Sequence, residues 1–354
     1  MPTIVGPSPY IYVCTRVRVR KTKLIPREEY LRMLNMSLSE ITRVIQESEY
    51  KKEIDELSHA FKGINLVEIA LSWNLAKTYQ GLIAIAPGHL QEMTKSYLRS
   101  WDIQNVIAIL RGKSQGLSAG RIKEVLIPAG ELDRAALDRI LAEDKIEKVI
   151  ESLKGSRLYP ILIREYPRAV ELGSFAHLEN ELYKQYYADI ISDGQTVKGG
   201  KAFLDYIHLE IDIRNMQNLL RLRSQEEKGD VLEYMIHGGS FTTDQLVNFS
   251  KIEDMNQFID TIEAALRNRQ IVKVFEDFRE RMTRKERDHH ESEIALTRLQ
   301  LAQILWMSKL HPFSIWPILA FLELKKYEIF NLRAITRGKE ANLPMERIRK
   351  YLVM

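Results

Sequence analysis

Two short segments contain residue types suited to binding phosphate or metal, and neither has the spacing that the chemistry needs. Gly112-Lys113-Ser114 resembles the end of a phosphate-binding loop, but the glycine that begins such a loop would have to replace Ile107. His289 and His290 are adjacent, so on a helix they point about 100° apart, whereas helical metal ligands stand four residues apart. We therefore predict no catalytic, cofactor-binding or metal-binding residue.

A four-residue pattern occurs three times along the chain. An acid is followed three residues later by Asn, nine residues later by Arg and eleven residues later by a second base. The copies are Asp102, Asn105, Arg111 and Lys113; Asp212, Asn215, Arg221 and Arg223; and Glu328, Asn331, Arg337 and Lys339. The asparagines lie 110 and 116 residues apart, which indicates internal repeats.

Two further features keep the same order around each copy. An apolar pair follows the final base after 12 or 13 residues: Leu126-Ile127, Met235-Ile236 and Leu352-Val353. An apolar anchor precedes each copy: Ile41-x-x-Val44-Ile45, Ile146-x-x-Val149-Ile150 and Met255-x-x-Phe258-Ile259. We predict three similar helical units, residues 1–128, 129–239 and 240–354.

The repeated residues allow two interpretations. On a helix the acid and the Asn share one face, while the Arg lies on the opposite side. The Asn and acid could pin a neighbouring helix within the unit, or they could contact a partner. Three equivalent copies argue against an active site, which needs one preorganised set of groups.

Most of the sequence has the apolar periodicity of α-helices, so the repeated residues are expected to lie on helices. Apolar residues recur three or four apart over residues 31–45, 137–150 and 288–310. Only 17 Gly and 11 Pro interrupt 354 residues, which favours helix. The segment Arg16–Arg20 alternates as a strand would, but no partner strand is apparent and we predict that it begins a helix. The predicted fold class is all-α.

Composition excludes several classes of protein. A net charge of +4 is too small for a nucleic-acid coat, and the single cysteine, Cys14, excludes disulfides within the chain and cysteine-based zinc sites. The longest apolar run, Ile315–Leu322, is too short to span a bilayer, so no direct membrane span is predicted. The N-terminal charges follow the apolar residues, which is the wrong order for a secretory signal.

The first 27 residues contain six basic residues and no acid. Such a block could lie on lipid headgroups or on an acidic partner, or it could be a solvated helix that pairs with acids elsewhere.

The segment Pro312–Lys339, continued by Leu343–Leu352, closely resembles the end of the C subunit of archaeal-type (A/V-type) ATP synthases, a family that includes the d subunit of the vacuolar ATPase. The resemblance covers nearly the full length, including Arg16–Arg18 and Asp212–Arg221. The third copy departs slightly, because Thr336 stands where the other copies have leucine.

This resemblance implies a non-catalytic central-rotor subunit of a rotary ATPase, acting in ATP synthesis and ion transport without a cofactor. It implies three similar helical units in a pseudo-threefold funnel. The implied partners are the membrane proteolipid ring and the central stalk subunits, and the implied location is peripheral, on the cytoplasmic face of the cell membrane. Two alternatives are a helical-repeat nucleic-acid-binding protein and a metal-dependent helical enzyme using His289 and His290.

Overall fold

The computed structural model describes residues 10–197, 199–225, 231–266, 278–280, 282 and 289–354. Every regular element within these ranges is an α-helix, which confirms the all-α fold class. No described helix is both long enough and apolar enough to cross a membrane. The described residues form two compact units, one from Met36–Val197 and one from Met1–Asn35 together with Lys198–Met354.

The Met36–Val197 unit contains ten helices. They are α3 Leu38–Gln46, α4 Lys51–Leu57, α5 Gly63–Ile83, α6 Gly88–Leu98, α7 Ser100–Ser114, α8 Ala119–Lys123, α9 Arg134–Ala142, α10 Ile146–Glu151, α11 Tyr159–Glu171 and α12 Ala176–Thr196. The long helix α5 is apolar and buried on most of its sides. The first copy of the repeated pattern lies on α7.

The described residues of the other unit contain nine further helices. They are α1 Tyr10–Lys21, α2 Arg27–Met33, α13 Lys201–Gln225, α14 Val231–Tyr234, α15 Thr243–Lys251, α16 Met255–Leu266, α17 His289–Leu310, α18 Trp316–Glu340 and α19 Met345–Lys350. The second copy lies on α13 and the third on α18. Helices α13, α15, α16 and α17 contribute most of one apolar core, which includes Phe241, Phe249 and Phe258.

Arg16–Arg20 is helical, as predicted, but the segment lies in the second half of α1 and does not begin the helix. The inward face of α1 buries Val13, Cys14 and Val17. Although Val and Arg alternate as in a strand, the two valines lie on different faces of the helix. Val17 faces the interior and Val19 faces solvent.

Side-chain caps set where several helices begin. The Asp133 carboxylate accepts a hydrogen bond from the Ala136 amide at the start of α9. Thr242 and Gln245 form a reciprocal capping box at the start of α15. These two helices follow the first and second copies of the pattern, and both contribute to the sites described next.

Candidate functional site

The asparagine of the first copy binds a single residue through both ends of its side-chain amide. The Asn105 Nδ2 donates to the Ile127 carbonyl at 2.7 Å, and its Oδ1 accepts from the Ile127 amide at 2.8 Å. Ile127 is the second member of the apolar pair that follows the copy. The side chain thus satisfies both backbone groups of a residue outside any helix.

The other two asparagines repeat this contact. Asn215 bonds both backbone groups of Ile236, and Asn331 bonds both backbone groups of Val353, each at 2.8 Å. Asn105, Asn215 and Asn331 are only 2%, 1% and 3% exposed. Their polar groups therefore bond the chain itself, within the buried part of each unit.

The acid of the first copy caps the loop before α9. Asp102 accepts a hydrogen bond from the Glu131 amide at 2.8 Å and another from the Leu132 amide at 3.0 Å. A Cβ atom at Gly130 would lie 2.2 Å from the Asp102 Oδ1, so only glycine allows the carboxylate to approach this closely.

The acid of the second copy caps the loop before α15 in the same manner. Asp212 Oδ1 accepts from the Ser240 amide at 2.8 Å and from the Phe241 amide at 3.2 Å. A Cβ atom at Gly239 would lie 2.3 Å from that oxygen. The close approach of Asp102 and Asp212 thus explains why a glycine, Gly130 or Gly239, follows each of the first two apolar pairs.

The acid of the third copy binds a loop that lies early in the sequence, before α2. Glu328 accepts a hydrogen bond from the Ile25 amide at 2.6 Å, just before α2. It also forms an ion pair with Lys325 at 2.7 Å, and these two side chains are only 3% and 5% exposed. The longer glutamate therefore reaches a loop that is remote in sequence while remaining paired in the interior.

The final base of each copy binds carbonyl groups at the C-terminal end of a short helix. Lys113 donates to the Leu141 carbonyl at 3.0 Å and to that of Glu143, at the end of α9. Arg223 donates to the carbonyls of Ile252 and Glu253 after α15. A cation at a helix C-terminus satisfies free carbonyl groups and interacts favourably with the helix dipole.

Lys339 makes the matching contact in the third copy, donating to the Leu34 carbonyl at 2.6 Å, just after α2. Helix α2 thus occupies the place in the third copy that α9 and α15 occupy in the first two. Sequence reasoning missed this relation, although a signal existed: the Ile41-x-x-Val44-Ile45 anchor follows α2 as the other anchors follow α9 and α15.

The arginine is the surface member of each copy. Arg111 pairs with Glu179 at 2.6 Å and Arg221 with Glu293 at 3.2 Å, and both arginine side chains are about half exposed. Arg337 instead pairs with Glu340 of its own helix at 3.4 Å. Exposed pairs of this kind contribute about 0–1 kcal/mol, so the buried Asn and acid dominate the energetics of each copy.

We name each set of contacts a brace. A brace consists of the acid, the Asn and the final base, together with the loop and the short helix that they hold. The first brace lies within the Met36–Val197 unit, and the second and third lie within the other unit. Each fixes a long helix to a loop and a short helix through three side chains spaced along about three turns.

In two copies a glycine, Gly112 or Gly338, stands between the Arg and the Lys because a short helix packs closely against it. A Cβ atom at Gly112 would lie 2.5 Å from Ile122 Cγ1 of α8. Gly112→Ala is therefore expected to lower the free energy of unfolding by about 2 kcal/mol, because overpacking outweighs the better helix propensity of alanine. Urea denaturation measures this change.

Gly120→Ala is the matched control, because its Cβ atom would have nothing nearer than 4.0 Å. That substitution should be neutral or slightly stabilising. An Ile122→Ala background should remove most of the Gly112→Ala effect, and an undiminished loss there would contradict the packing explanation.

Burial raises the pKa of Asp102 to about 6, against the lowering effect of the Leu132 and Glu131 amides. A carboxyl whose pKa is higher in the folded state stabilises the protein at low pH, and that contribution is lost as the pH rises through the folded-state pKa. Between about pH 3 and pH 7 the free energy of unfolding should thus fall by about 3 kcal/mol on account of Asp102.

Asp102→Asn keeps the shape of the side chain and removes its titration. The difference in unfolding free energy between the parent chain and this variant, measured by urea denaturation at each pH, isolates the contribution of Asp102. A difference that stays constant or rises across this range would contradict a raised pKa.

Neither the braces nor the other described side chains provide the ligands of a metal site. Among the described residues, no three His, Cys, Asp or Glu side chains come together in a group that could hold an ion. Asp288, which the sequence places beside His289 and His290, lies outside the described residues.

Comparisons with known proteins agree on one family. A family model described as the ATP synthase (C/AC39) subunit matches residues 13–351. The C subunit of the A-type ATP synthase of Methanococcoides burtonii is 35% identical, with 98% of this chain and 95% of that protein covered. The corresponding proteins of Methanosarcina mazei and Haloferax volcanii are 36% and 32% identical, covering 99% and 100% of this chain and 94% and 100% of their own lengths.

Proposed function

The chain belongs to the ATP synthase (C/AC39) subunit family, and from this we propose that it couples a membrane proteolipid ring to the central stalk. Membership makes it a subunit of a rotary ATP synthase other than the catalytic one. In the proposed role, rotation of the ring turns the stalk during ATP synthesis, and rotation of the stalk turns the ring during ATP-driven ion transport.

The braces are the observation that carries the proposal. A part that transmits torque must resist bending, and close-packed helices fixed by buried hydrogen bonds deform little. The chain has three such braces, and each one holds a long helix to a loop and a short helix. Their repetition supports three similar units, residues 1–128, 129–239 and 240–354. Each brace links the long helix of one unit to the loop and short helix at the start of another, and residues 25–34 take that place for the last unit.

We further propose that the three units form a pseudo-threefold funnel. Its lumen would hold the foot of the central stalk and its rim would meet the loops of the ring, on the cytoplasmic face of the membrane. Three similar braces support this arrangement, because similar units joined by similar contacts favour a closed rotational symmetry.

The contacts of the repeated bases weaken the nucleic-acid alternative. That hypothesis rested on the three Arg and Lys or Arg pairs, which were candidates to contact phosphates. Arg111 pairs with a carboxylate, and Lys113 and Lys339 donate to carbonyl groups of the chain itself. These groups are thus engaged within the protein.

Reconstitution of the complex with and without this chain tests the proposal. We expect the full chain to form a stable complex with the isolated proteolipid ring and another with the isolated central stalk. Without it, the catalytic head should still hydrolyse ATP while ion translocation is lost. Coupled ion transport in the absence of the chain, or failure to bind either partner, would refute the proposal.

A further inference from the structure

Helix α1 leaves apolar side chains exposed on the face opposite its buried one. Val13, Cys14 and Val17 point inward, whereas Tyr12 and Val19 are 59% and 57% exposed. Positions 12 and 19 are seven residues apart, so the two side chains lie in one row on the outward face. A single exposed apolar residue needs no explanation, but a row on an otherwise charged helix does.

Basic residues flank this row on both sides. In helical projection Arg16 lies on one side of the outward face and Arg18 on the other. Arg18 donates to the Pro312 carbonyl at 3.0 Å, and its guanidinium lies 5.1 Å from the centre of the Phe313 ring. The turn after α17 thereby joins the same surface, with Phe313 48% exposed.

The charges on this surface are crowded and of one sign. Burial lowers the pKa of Arg20, and the neighbouring Arg16 lowers it further. No described carboxylate pairs with Arg16 or Arg18, and the sequence contains no acid before Glu28. Such a cluster attracts anions.

We propose that this surface binds the anionic headgroups of a phospholipid bilayer. We call it the α1 surface, formed by Tyr12, Arg16, Arg18, Val19 and Phe313. Cations placed around exposed aromatic and aliphatic side chains suit an interface where phosphates lie above an apolar phase. An acidic protein surface would pair with the same cations, and the binding measurements separate it from a bilayer.

This contact is additional to the proposed ring and stalk contacts, and it can be tested on the isolated full chain. The probes are vesicles of phosphatidylcholine alone and vesicles in which part of it is replaced by phosphatidylglycerol. We expect association only with the second kind, weakening as salt is added. Each basic residue near an anionic surface contributes roughly a fivefold factor to the partition coefficient.

The decisive variant neutralises the two cations that flank the row, Arg16→Gln with Arg18→Gln. It should lower the partition coefficient about 25-fold. The matched control, Arg139→Gln with Lys154→Gln, removes the same charge from exposed positions elsewhere and should bind as the parent does. Tyr12→Ser with Val19→Ser should also weaken binding, although it keeps every charge.

Unchanged circular dichroism melting curves would establish that each variant is folded. Equal loss in the α1 and control variants would reduce the effect to net charge and overturn the proposal. Absence of vesicle binding by the parent chain would also overturn it. If the α1 variant lost only its binding to the proteolipid ring in detergent, the surface would be a protein-docking site and the lipid proposal would fail.

Discussion

Replacement of Asn215 by leucine is expected to lower the free energy of unfolding by about 4 kcal/mol. The substitution removes both hydrogen bonds to Ile236, and it leaves a buried amide and a buried carbonyl without their partner. Each unsatisfied buried group costs about 1–3 kcal/mol. Leucine has the same branching as asparagine but is larger, so overpacking adds to the loss from the two unsatisfied groups. Urea denaturation measures the total.

Amide hydrogen exchange locates the effect. The Ile236 amide should exchange faster in the Asn215→Leu variant by more than the change in global stability explains. Asn256→Leu, at an exposed position of α16, is the control and should change stability by less than about 0.5 kcal/mol. An unchanged exchange rate at Ile236 would mean that the brace does not hold this loop.

The same substitution in the other copies tests whether the braces are equivalent. Asn105→Leu and Asn331→Leu remove the same pair of bonds, to Ile127 and Val353. Losses within a factor of two of the Asn215→Leu value are expected. A much smaller loss for Asn331→Leu would mean that Val353, near the end of the chain, is held less firmly than the internal loops.

Much of this arrangement follows from local rules that act on the sequence. Periodicity and the scarcity of Gly and Pro predicted helices, and the regular acid, Asn and Arg spacing identified the helices α7, α13 and α18 as equivalent. The apolar pairs were also found, because Ile127 and Ile236 must be buried and burial selects residue type. These features depend on neighbours within a few turns.

The partners of the repeated residues could not be read in the same way. Asp102 bonds amides nearly thirty residues away, and backbone amides carry no sequence signal. The contact between Glu328 and Ile25 joins residues about three hundred positions apart, so only the folded chain brings them together. In the third copy the loop and short helix precede the acid by about three hundred residues, whereas in the first two copies they follow it.

Gly130→Ala is the second substitution with a large expected effect, a loss of about 3–5 kcal/mol in unfolding free energy. Its Cβ atom would lie 2.2 Å from Asp102 Oδ1, far inside contact distance, so the carboxylate must move. The amides of Glu131 and Leu132 then lose their acceptor, and each unsatisfied donor costs about 1–3 kcal/mol. Gly120→Ala, with open space around its Cβ atom, again serves as the control.

A double-mutant cycle separates this mechanism from a general intolerance of alanine at position 130. In an Asp102→Ala background the conflicting oxygen is absent, so Gly130→Ala should cost less by about 2–3 kcal/mol than it does in the parent chain. The two residues would then be coupled through the carboxylate, as the close approach requires. Additive losses would mean that Gly130 is needed for some other reason. The equivalent cycle on Asp212 and Gly239 provides an independent repeat, because a Cβ atom at Gly239 meets Asp212 Oδ1 at 2.3 Å.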